Sequence, residues 1–210
     1  MKLKKLSLHH HQQSIFRNFA IQKASGKFYA FLDVDDWWSP EKLEKQIPLF
    51  ADPEVGMVYG NYRYVDEKNS IQYPLYRNTL PSGYLTDVLL KKYFVGLLSI
   101  IIKKKAYDSL NYGFDSSYHI IGDFDAFIRI NEIYKSHAIQ EPLANNRIHG
   151  NNESLKNCLK NYKEIEEWLE NYFPERFAVN MRDELKILQQ DNYFKLGSYF
   201  AEVNEISNAI

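Results

Sequence analysis

Three carboxylates fall within four positions of this 210-residue chain, at Asp33, Asp35 and Asp36. They directly follow the apolar run Phe28–Leu32, which has the length and bulk of a buried strand. In open α/β sheets, ligands bind beyond the ends of such strands. Negative charges this close repel one another unless a cation joins them, and hard oxygen ligands suit Mg²⁺ or Mn²⁺ shared with substrate phosphates. The segment therefore predicts a site for a divalent cation and a phosphate.

A solvated loop or a helix cap is the ordinary explanation for an acidic cluster after a strand. The next residues weaken that explanation, because Ser39, Pro40 and Glu41 have the pattern of an N-cap, a first helical residue and a first-turn acid. The helix that follows thus has a cap of its own. The aspartates are left to occupy a tight junction between a strand and a helix.

Two weaker groups of polar residues are further candidates. Asp123 opens a predicted amphipathic helix, where the helix dipole alone would favour an acid. In the catalytic interpretation, Asp123 faces the metal across a cleft and acts as a general base. His149 lies in a polar loop and is either a metal ligand through its neutral imidazole or an ordinary surface residue.

The elements that position these groups follow from hydrophobic periodicity and turn residues. Strands and helices alternate up to about residue 150, and after that only helices are predicted. This order indicates an α/β layer over residues 1–152 and an all-helical extension over residues 153–210. The predicted strands are 28–33, 55–59, 62–65, 71–76, 97–102 and 143–148. The predicted helices are 15–25, 40–50, 84–93, 123–134, one from 154 that Pro174 ends, 175–190 and 192–205.

Composition excludes several classes of function and location. The net charge of −1 gives no electrostatic case for nucleic acid. The single cysteine, Cys158, lies on the apolar stripe of a predicted helix and forms no internal disulfide, which fits the cytoplasm. No apolar run has transmembrane length, and the basic N-terminus lacks the features of a signal peptide. A peripheral contact of that end with the inner face of a membrane is the alternative to a solvated end. His9, His10 and His11 cannot easily converge on one metal and are interpreted as non-functional.

The order of these groups resembles family 2 glycosyltransferases of the GT-A fold over about residues 15–155. The family pattern contains Ala-Arg-Asn, Ala-x-Gly-x-Tyr-Ile-Ala-Phe-Leu-Asp-x-Asp-Asp, Pro-x-Lys-Leu, Glu-Asp-x-Asp-x-x-x-Arg and Tyr-Arg-x-His. The corresponding segments here are Phe16-Arg17-Asn18, Ala24 to Asp36, Pro40-Glu41-Lys42-Leu43, Gly122 to Arg129 and Asn146 to His149. The segment with the aspartates is specific, and the others support it.

The resemblance implies a partial GT-A, Rossmann-like mixed sheet flanked by helices. It also implies inverting, metal-dependent transfer of a sugar from a nucleotide-sugar donor to a glycan or glycolipid acceptor. The roles carried over from the family pattern are these: Asp35, Asp33 and His149 hold Mg²⁺ or Mn²⁺; Asp33, Arg17 and Arg147 contact the donor; Asp36 supports the cluster; and Asp123 deprotonates the acceptor hydroxyl.

The sequence also departs from the family pattern. Two strands that end in Pro-x-Tyr-Asn and Asp-Asp-Gly-Ser, which bind the nucleotide base, are not found here. We therefore expect a truncated donor half-site and an exposed edge on the strand 28–33, through which the chain self-associates. Two alternatives stay open: a non-catalytic remnant or scaffold of the same fold, and a haloacid dehalogenase-like phosphatase with Asp33 as nucleophile. Trp37 and Trp38 do not fit the phosphatase pattern.

Overall fold

The computed structural model describes residues 13–66, 71–149, 152, 156–172 and 181–208. His9 to His11 and residues 67–69 of the hairpin turn predicted at residues 66–69 lie outside the described residues. The chain divides into two compact units, one within residues 1–86 and 94–150 and the other within residues 87–93 and 151–210. The division into a domain at residues 1–152 and a helical extension at residues 153–210 stays a prediction.

The first unit is built on a mixed sheet, as the family resemblance implies, and this sheet has six strands, of which β2 was not predicted. The strands are β1 (Phe28–Ala30), β2 (Trp37–Trp38), β3 (Val55–Asp66), β4 (Ile71–Pro74), β5 (Ile101–Lys103) and β6 (Lys135–Arg147). Their order is β1-β5-β3-β6-β2, and β4 pairs with β3. Only β3 and β6 run parallel among these pairs, and the other pairs are antiparallel.

The helices complete both units. They are α1 (Gln13–Lys23), α2 (Lys42–Gln46) with a 3₁₀ turn at Ile47–Ala51, α3 (Thr86–Lys91), a 3₁₀ turn at Leu97–Ser99, α4 (Lys104–Asp108), α5 (Gly122–Asn131), α6 (Cys158–Tyr172) and α7 (Arg182–Asn208). Among the described helices, none is both long and apolar enough to cross a membrane.

Strand β3 is the centre of the sheet. Its residues Met57, Val58 and Tyr59 are completely buried, because β5 and β6 flank it on both sides. It joins two strands that were predicted separately, since the chain continues through Gly60 and Asn61 with a change of register against β6 instead of a turn. Strand β6 likewise extends the short strand predicted at 143–148 back to Lys135.

Strand β1 differs from its prediction as a central parallel strand. It contains three residues and pairs with β5 alone, in antiparallel orientation. Tyr29 is buried, whereas Ala30 is exposed and Leu32 is 44% exposed. On the face opposite Tyr29, Phe28 packs against Phe50 while Ala30 and Leu32 are exposed, so the composition of the apolar run overstated its burial. Pairing of the open edge with a second chain stays a prediction.

Two other elements begin later than predicted. Helix α2 starts at Lys42, and its first turn has no side-chain cap, so the capping role of Ser39 is wrong. The backbone N–H of Ser39 instead donates to Leu143 O at 2.9 Å, which prolongs the pairing of β2 with β6. The predicted strand 97–102 becomes a 3₁₀ turn followed by β5, because side chains bind the carbonyl groups of residues 98–100.

The second unit is helical, and its core contains Trp168 and Leu185, both completely buried. Asn192 Nδ2 donates to Tyr162 O at 2.9 Å and joins α7 to α6. The predicted break between helices at residues 190 and 192 is wrong, since α7 runs without interruption from Arg182 to Asn208.

Candidate functional site

The three aspartates lie on a segment that crosses the sheet. Strand β1 ends at Ala30 and β2 begins at Trp37, and these are the first and last strands in the sheet order. Residues 31–36 therefore connect the two ends of the sheet order. A backbone hydrogen bond from Asp36 N to Asp33 O (3.3 Å) closes a turn within this segment.

Asp36 fastens this segment to the end of β6. Its carboxylate is buried and accepts hydrogen bonds from Asn146 Nδ2 (3.1 Å to each oxygen) and from the backbone N–H of Arg147 (2.9 Å). Burial raises the pKa of Asp36, although these two donors act in the opposite direction. The nearby charges of Asp35 and Asp33 raise the pKa further. Asp36 therefore holds this segment against the end of β6, next to the exposed groups.

Asp35 and His149 meet at the surface beside Asp36. Asp35 Oδ2 lies 2.8 Å from His149 Nε2, and their side chains are 38% and 35% exposed. Arg147 Nε donates to the backbone carbonyl of Asp35 at 3.1 Å, and this hydrogen bond holds the backbone of Asp35 in place. The fold therefore brings together two of the residues predicted as metal ligands, although 114 positions separate them.

Asp35 and His149 are hydrogen-bonded to each other at 2.8 Å. Their carboxylate oxygen and imidazole nitrogen are also of the types that bind divalent cations. Among the described residues, no three His, Cys, Asp or Glu side chains form a group that could hold a metal by themselves. Asp35 and His149 would thus supply two ligands, and substrate phosphates and water the others, which is common for Mg²⁺.

Asp33 lies close enough to Arg17 and Asp35 for both charges to act on it. The Asp33 side chain reaches solvent, but protein surrounds it on most sides, and this desolvation raises its pKa. The positive charge of Arg17 acts against the rise, whereas the charge of Asp35 adds to it. Arg17 Nη2 donates to Gln13 Oε1 at 2.8 Å, so α1 holds the guanidinium in place.

The register of the sheet shows which side chains share a face. Tyr62 in β3, Ala144 in β6 and Trp38 in β2 are neighbours in one row. Tyr64 and Asn146 form a second row two residues further along the parallel strands. Because side chains alternate along a strand, both rows lie on the same face. The Asp36 carboxylate is bound by Asn146 and lies on this face too.

Asp123 lies toward this same face. It is half-buried in the first turn of α5, and its negative charge helps to raise the pKa of the Tyr62 phenol, after the larger effect of burial. Asp125, two residues along, is completely buried and accepts a hydrogen bond from Arg129 Nε at 3.0 Å. Of the two acids, Asp123 is therefore the less enclosed one, and it lies toward the Asp36 side of the sheet.

The Arg147 side chain points to the opposite face. Its guanidinium lies over the ring of Trp37, 5.4 Å from the centroid. Trp37 is 36% exposed and follows Asp36 directly. The fold therefore uses Arg147 to support the backbone of Asp35 from the Trp37 face. Contact of its guanidinium with the donor stays a prediction.

Three residues in or near β2 were given no functional role from the sequence. Lys42 is completely buried, donates to Gln46 Oε1 (2.6 Å) and Ile100 O (3.3 Å), and lies 4.6 Å from the ring centroid of Trp38. Burial lowers its pKa to about 7. Gln46 and the Trp38 indole N–H bind the carbonyls of Ser99 and Leu98. The signal in the sequence was the spacing of Lys42 and Gln46, which places both on one face of α2.

A family model described as Glycosyl transferase family 2 matches residues 6–128, more than half of the 210 residues. This chain belongs to glycosyl transferase family 2. The matched region contains the aspartate cluster, Arg17 and Asp123. The resemblance inferred from the sequence is thus confirmed. The haloacid dehalogenase alternative has no support in the family match.

A curated relative is similar to this family 2 chain over about half of the chain. It is 34% identical over 98 residues to UDP-Glc:alpha-D-GlcNAc-diphosphoundecaprenol beta-1,3-glucosyltransferase WfgD of Escherichia coli. The aligned region covers 47% of this chain and 37% of that enzyme. The chain therefore spans little more than a third of the length of this relative.

Solved structures confirm the GT-A fold of the family 2 chain. The mannosyltransferase PcManGT from Pyrobaculum calidifontis, in complex with GDP-Man and Mn²⁺, gives a TM-score of 0.58 at 14% identity and covers 94% of this chain and 55% of that one. TarS 1-349 of S. aureus, in complex with UDP-GlcNAc, gives a TM-score of 0.59 at 14% identity and covers 89% and 54%. Identities this low show the common fold alone.

Proposed function

We propose that this family 2 domain transfers a sugar from a nucleotide-sugar donor to a hydroxyl group of a glycan or glycolipid, with inversion at the sugar carbon. The observation that carries the proposal is the Asp35–His149 pair. Asp33 lies beside it, and Asp123 lies toward the face of the sheet that holds the Asp36 carboxylate. Inverting transfer requires a group that stabilises the leaving diphosphate and a base for the acceptor.

On the donor side, Asp35 and His149 would hold Mg²⁺ or Mn²⁺. The cation, when bound, neutralises the charge that develops on the departing nucleoside diphosphate. Asp36 keeps Asp35 in place, because its bonds to Asn146 and Arg147 fix the end of the segment. Asp33 would accept a hydrogen bond from the ribose, and the positive charge of Arg17 beside it favours the ionised carboxylate that this bond needs. The expected absence of strands that bind the nucleotide base stays a prediction.

On the acceptor side, Asp123 would take the proton from the attacking hydroxyl. It lies in the first turn of α5, where the helix dipole favours a negative charge. Half-burial excludes part of the water that would otherwise compete as acceptor. A positioned base of this kind contributes roughly 10²–10⁴-fold to the rate.

The acceptor class rests on the relative. The printed name of WfgD joins UDP-Glc with a GlcNAc that is linked to diphosphoundecaprenol. We extend this to the present domain and assign it an acceptor sugar carried on a lipid diphosphate, used in polysaccharide biosynthesis. Such an acceptor places the domain in the cytoplasm at the inner face of the membrane.

The test is release of nucleoside diphosphate from UDP-glucose, UDP-N-acetylglucosamine and GDP-mannose, with and without Mn²⁺. We expect release from one donor that depends on Mn²⁺ and is lost in Asp35→Asn. Glu44→Gln, an exposed acid on α2, serves as the matched control and retains the activity. Calorimetric titration with UDP and Mn²⁺ measures binding separately from turnover.

Two outcomes would contradict the proposal. Equal binding of Mn²⁺ and UDP by the wild type and Asp35→Asn would show that the carboxylate cluster is not the metal site. Binding of donor and cation without release or transfer would favour the non-catalytic scaffold of the same fold.

A further inference from the structure

A surface hollow lies at the start of β1, six residues before Asp33. It has a cavity volume of about 460 Å³ and is lined by Lys27, Lys103, Lys104, Lys105 and Asp108 among others. Four ammonium groups and one carboxylate give the hollow a local charge of +3, in a chain whose net charge is −1. The positive charge of this face is therefore concentrated, and no part of the proposed transfer reaction uses it.

The backbone holds these lysines side by side. Phe28 of β1 pairs with Lys103 of β5, and the N–H of Lys104 donates to Lys27 O at 2.8 Å. Lys104 is neutralised, because its Nζ lies 2.7 Å from Asp108 and 5.7 Å from the Tyr29 ring centroid. In the part of the chain that the structure describes, Lys27, Lys103 and Lys105 form no ion pair. Three uncompensated cations therefore surround the hollow, and they favour an anionic partner.

Apolar groups lie next to the hollow along the chain. Helix α1 exposes Ile15 (39%) and Phe19 (44%) one turn apart, and Lys23 Nζ lies 5.4 Å from the centre of the Phe19 ring. The helix ends at Lys23, two residues before Ser25, which lines the hollow. In the sequence before α1, three more lysines alternate with leucines within residues 1–8. Exposed apolar side chains flanked by lysines are typical of surfaces that lie on a membrane.

A lipid surface fits this arrangement better than a free phosphate. Arginine forks hold a single phosphate in a fixed bidentate geometry, whereas lysines act as point charges, and the cations of this hollow are all lysines on long stems around Phe28. Lysine stems pack on apolar surface while their ammonium groups reach a plane of negative charge. We infer that the lysines around this hollow, together with Ile15 and Phe19, dock the domain on an anionic lipid bilayer. The inference adds a membrane-docking surface to the proposed function. It depends on that proposal only for the lipid-linked acceptor.

The experiment is sedimentation of the full chain with vesicles of phosphatidylcholine and phosphatidylglycerol, and with vesicles of phosphatidylcholine alone. We expect binding to the anionic vesicles only. Each lysine near an anionic surface contributes roughly fivefold to partitioning, so Lys27→Gln, Lys103→Gln and Lys105→Gln together should reduce it on the order of a hundredfold. The same three positions changed to Arg should retain binding. Phe19→Ser should weaken the part of the binding that survives high salt.

A charge-matched control is available on the second unit. Lys92→Gln, Lys160→Gln and Lys163→Gln remove the same charge from exposed positions and should leave binding nearly unchanged. An equal loss in this control would overturn the inference, because it would show a response to net charge alone. Saturable binding of inorganic phosphate that displaces the protein from vesicles would also overturn it, in favour of a soluble ligand. Nucleoside diphosphate release in vesicle-free solution tests the proposed function separately, since neither set of lysines belongs to the transfer site.

Discussion

Two polar groups of the first unit lie seven positions apart in sequence, and the fold treats them in opposite ways. Lys42 is completely buried, and its ammonium group has two oxygen acceptors and the face of Trp38 as neighbours. Asp35, with His149, lies at the surface with more than a third of its side chain exposed. The first group is enclosed by the fold, and the second is accessible to solvent and ligand.

The difference indicates that the polar groups that stabilise the fold are separate from those that could perform chemistry. A buried polar group must find its partners inside the protein, so its contacts form with the fold and hold it in one arrangement. An exposed pair can exchange its mutual hydrogen bond for a cation at little cost to folding. We therefore expect changes at Lys42 to lower stability, and changes near Asp35 to lower activity.

The largest expected effect is catalytic. Asp123→Asn removes the proposed base while keeping its shape, and the rate of sugar transfer should fall roughly 10²–10⁴-fold. Donor binding should not change, because Asp123 does not belong to the donor side. Kinetics at saturating donor, with a melting curve of each variant, check this. Asp123 loses its assigned role if transfer continues at the wild-type rate.

The next effect concerns Lys42. Lys42→Ala leaves a cavity and two acceptors without their donor, so the free energy of unfolding should fall by about 2–4 kcal/mol. Lys45→Ala on the same helix is the matched control. Lys45 is 37% exposed and pairs with Glu141 at the surface, and such a pair contributes little to stability. Chemical denaturation of both variants measures the difference, and equal losses would contradict the contrast drawn between the buried and exposed groups.

The lowered pKa of Lys42 should appear in the pH dependence of stability. Burial lowers the pKa of Lys42 from 10.5 to about 7, so the unfolded chain binds more protons between these values. The free energy of unfolding should therefore rise with pH from 7 to 9, by about 2 kcal/mol. The trend reverses above pH 10, because burial raises the pKa of Tyr76 and Tyr107 to about 12 and the folded state keeps protons that the unfolded chain loses.

Denaturation at a series of pH values between 7 and 9 tests this for the wild type and Lys42→Met. The variant should show a flatter profile, since methionine fills a similar space without a titrating group. Parallel profiles for the two proteins would mean that another group causes the rise.

The smallest expected effect is at Trp38. Trp38→Phe removes the indole N–H that donates to Leu98 O at 2.9 Å, and stability should fall by about 1 kcal/mol. Activity should change little, because the ring that packs with Tyr62 and Ala144 is largely kept. A large loss of activity with normal stability would show that Trp38 takes part in the site instead of supporting the fold.

Much of the architecture was predictable because local patterns and tertiary contacts agree. The alternation of strands and helices up to about residue 150 matches the mixed sheet, and the stripe containing Ile165, Trp168 and Leu169 is buried in α6 as expected. Predictions failed where a neighbour overrides the local pattern. Ser39 pairs with Leu143 instead of capping a helix, and residues 97–99 turn because Trp38, Lys42 and Gln46 bind carbonyls there.

The sequence by itself determined the family and the residue types of the candidate site, because the aspartate segment and its flanks are local and specific. Only the tertiary structure decided which of these residues meet. Asp35 and His149 are 114 positions apart, and Asp36 reaches Asn146 and Arg147 across a similar distance in sequence. The position of Asp123 relative to the Asp36 carboxylate depends on the register of β3 with β6. Register and long-range contacts arise from the packing of whole elements, and no local pattern of residues encodes them.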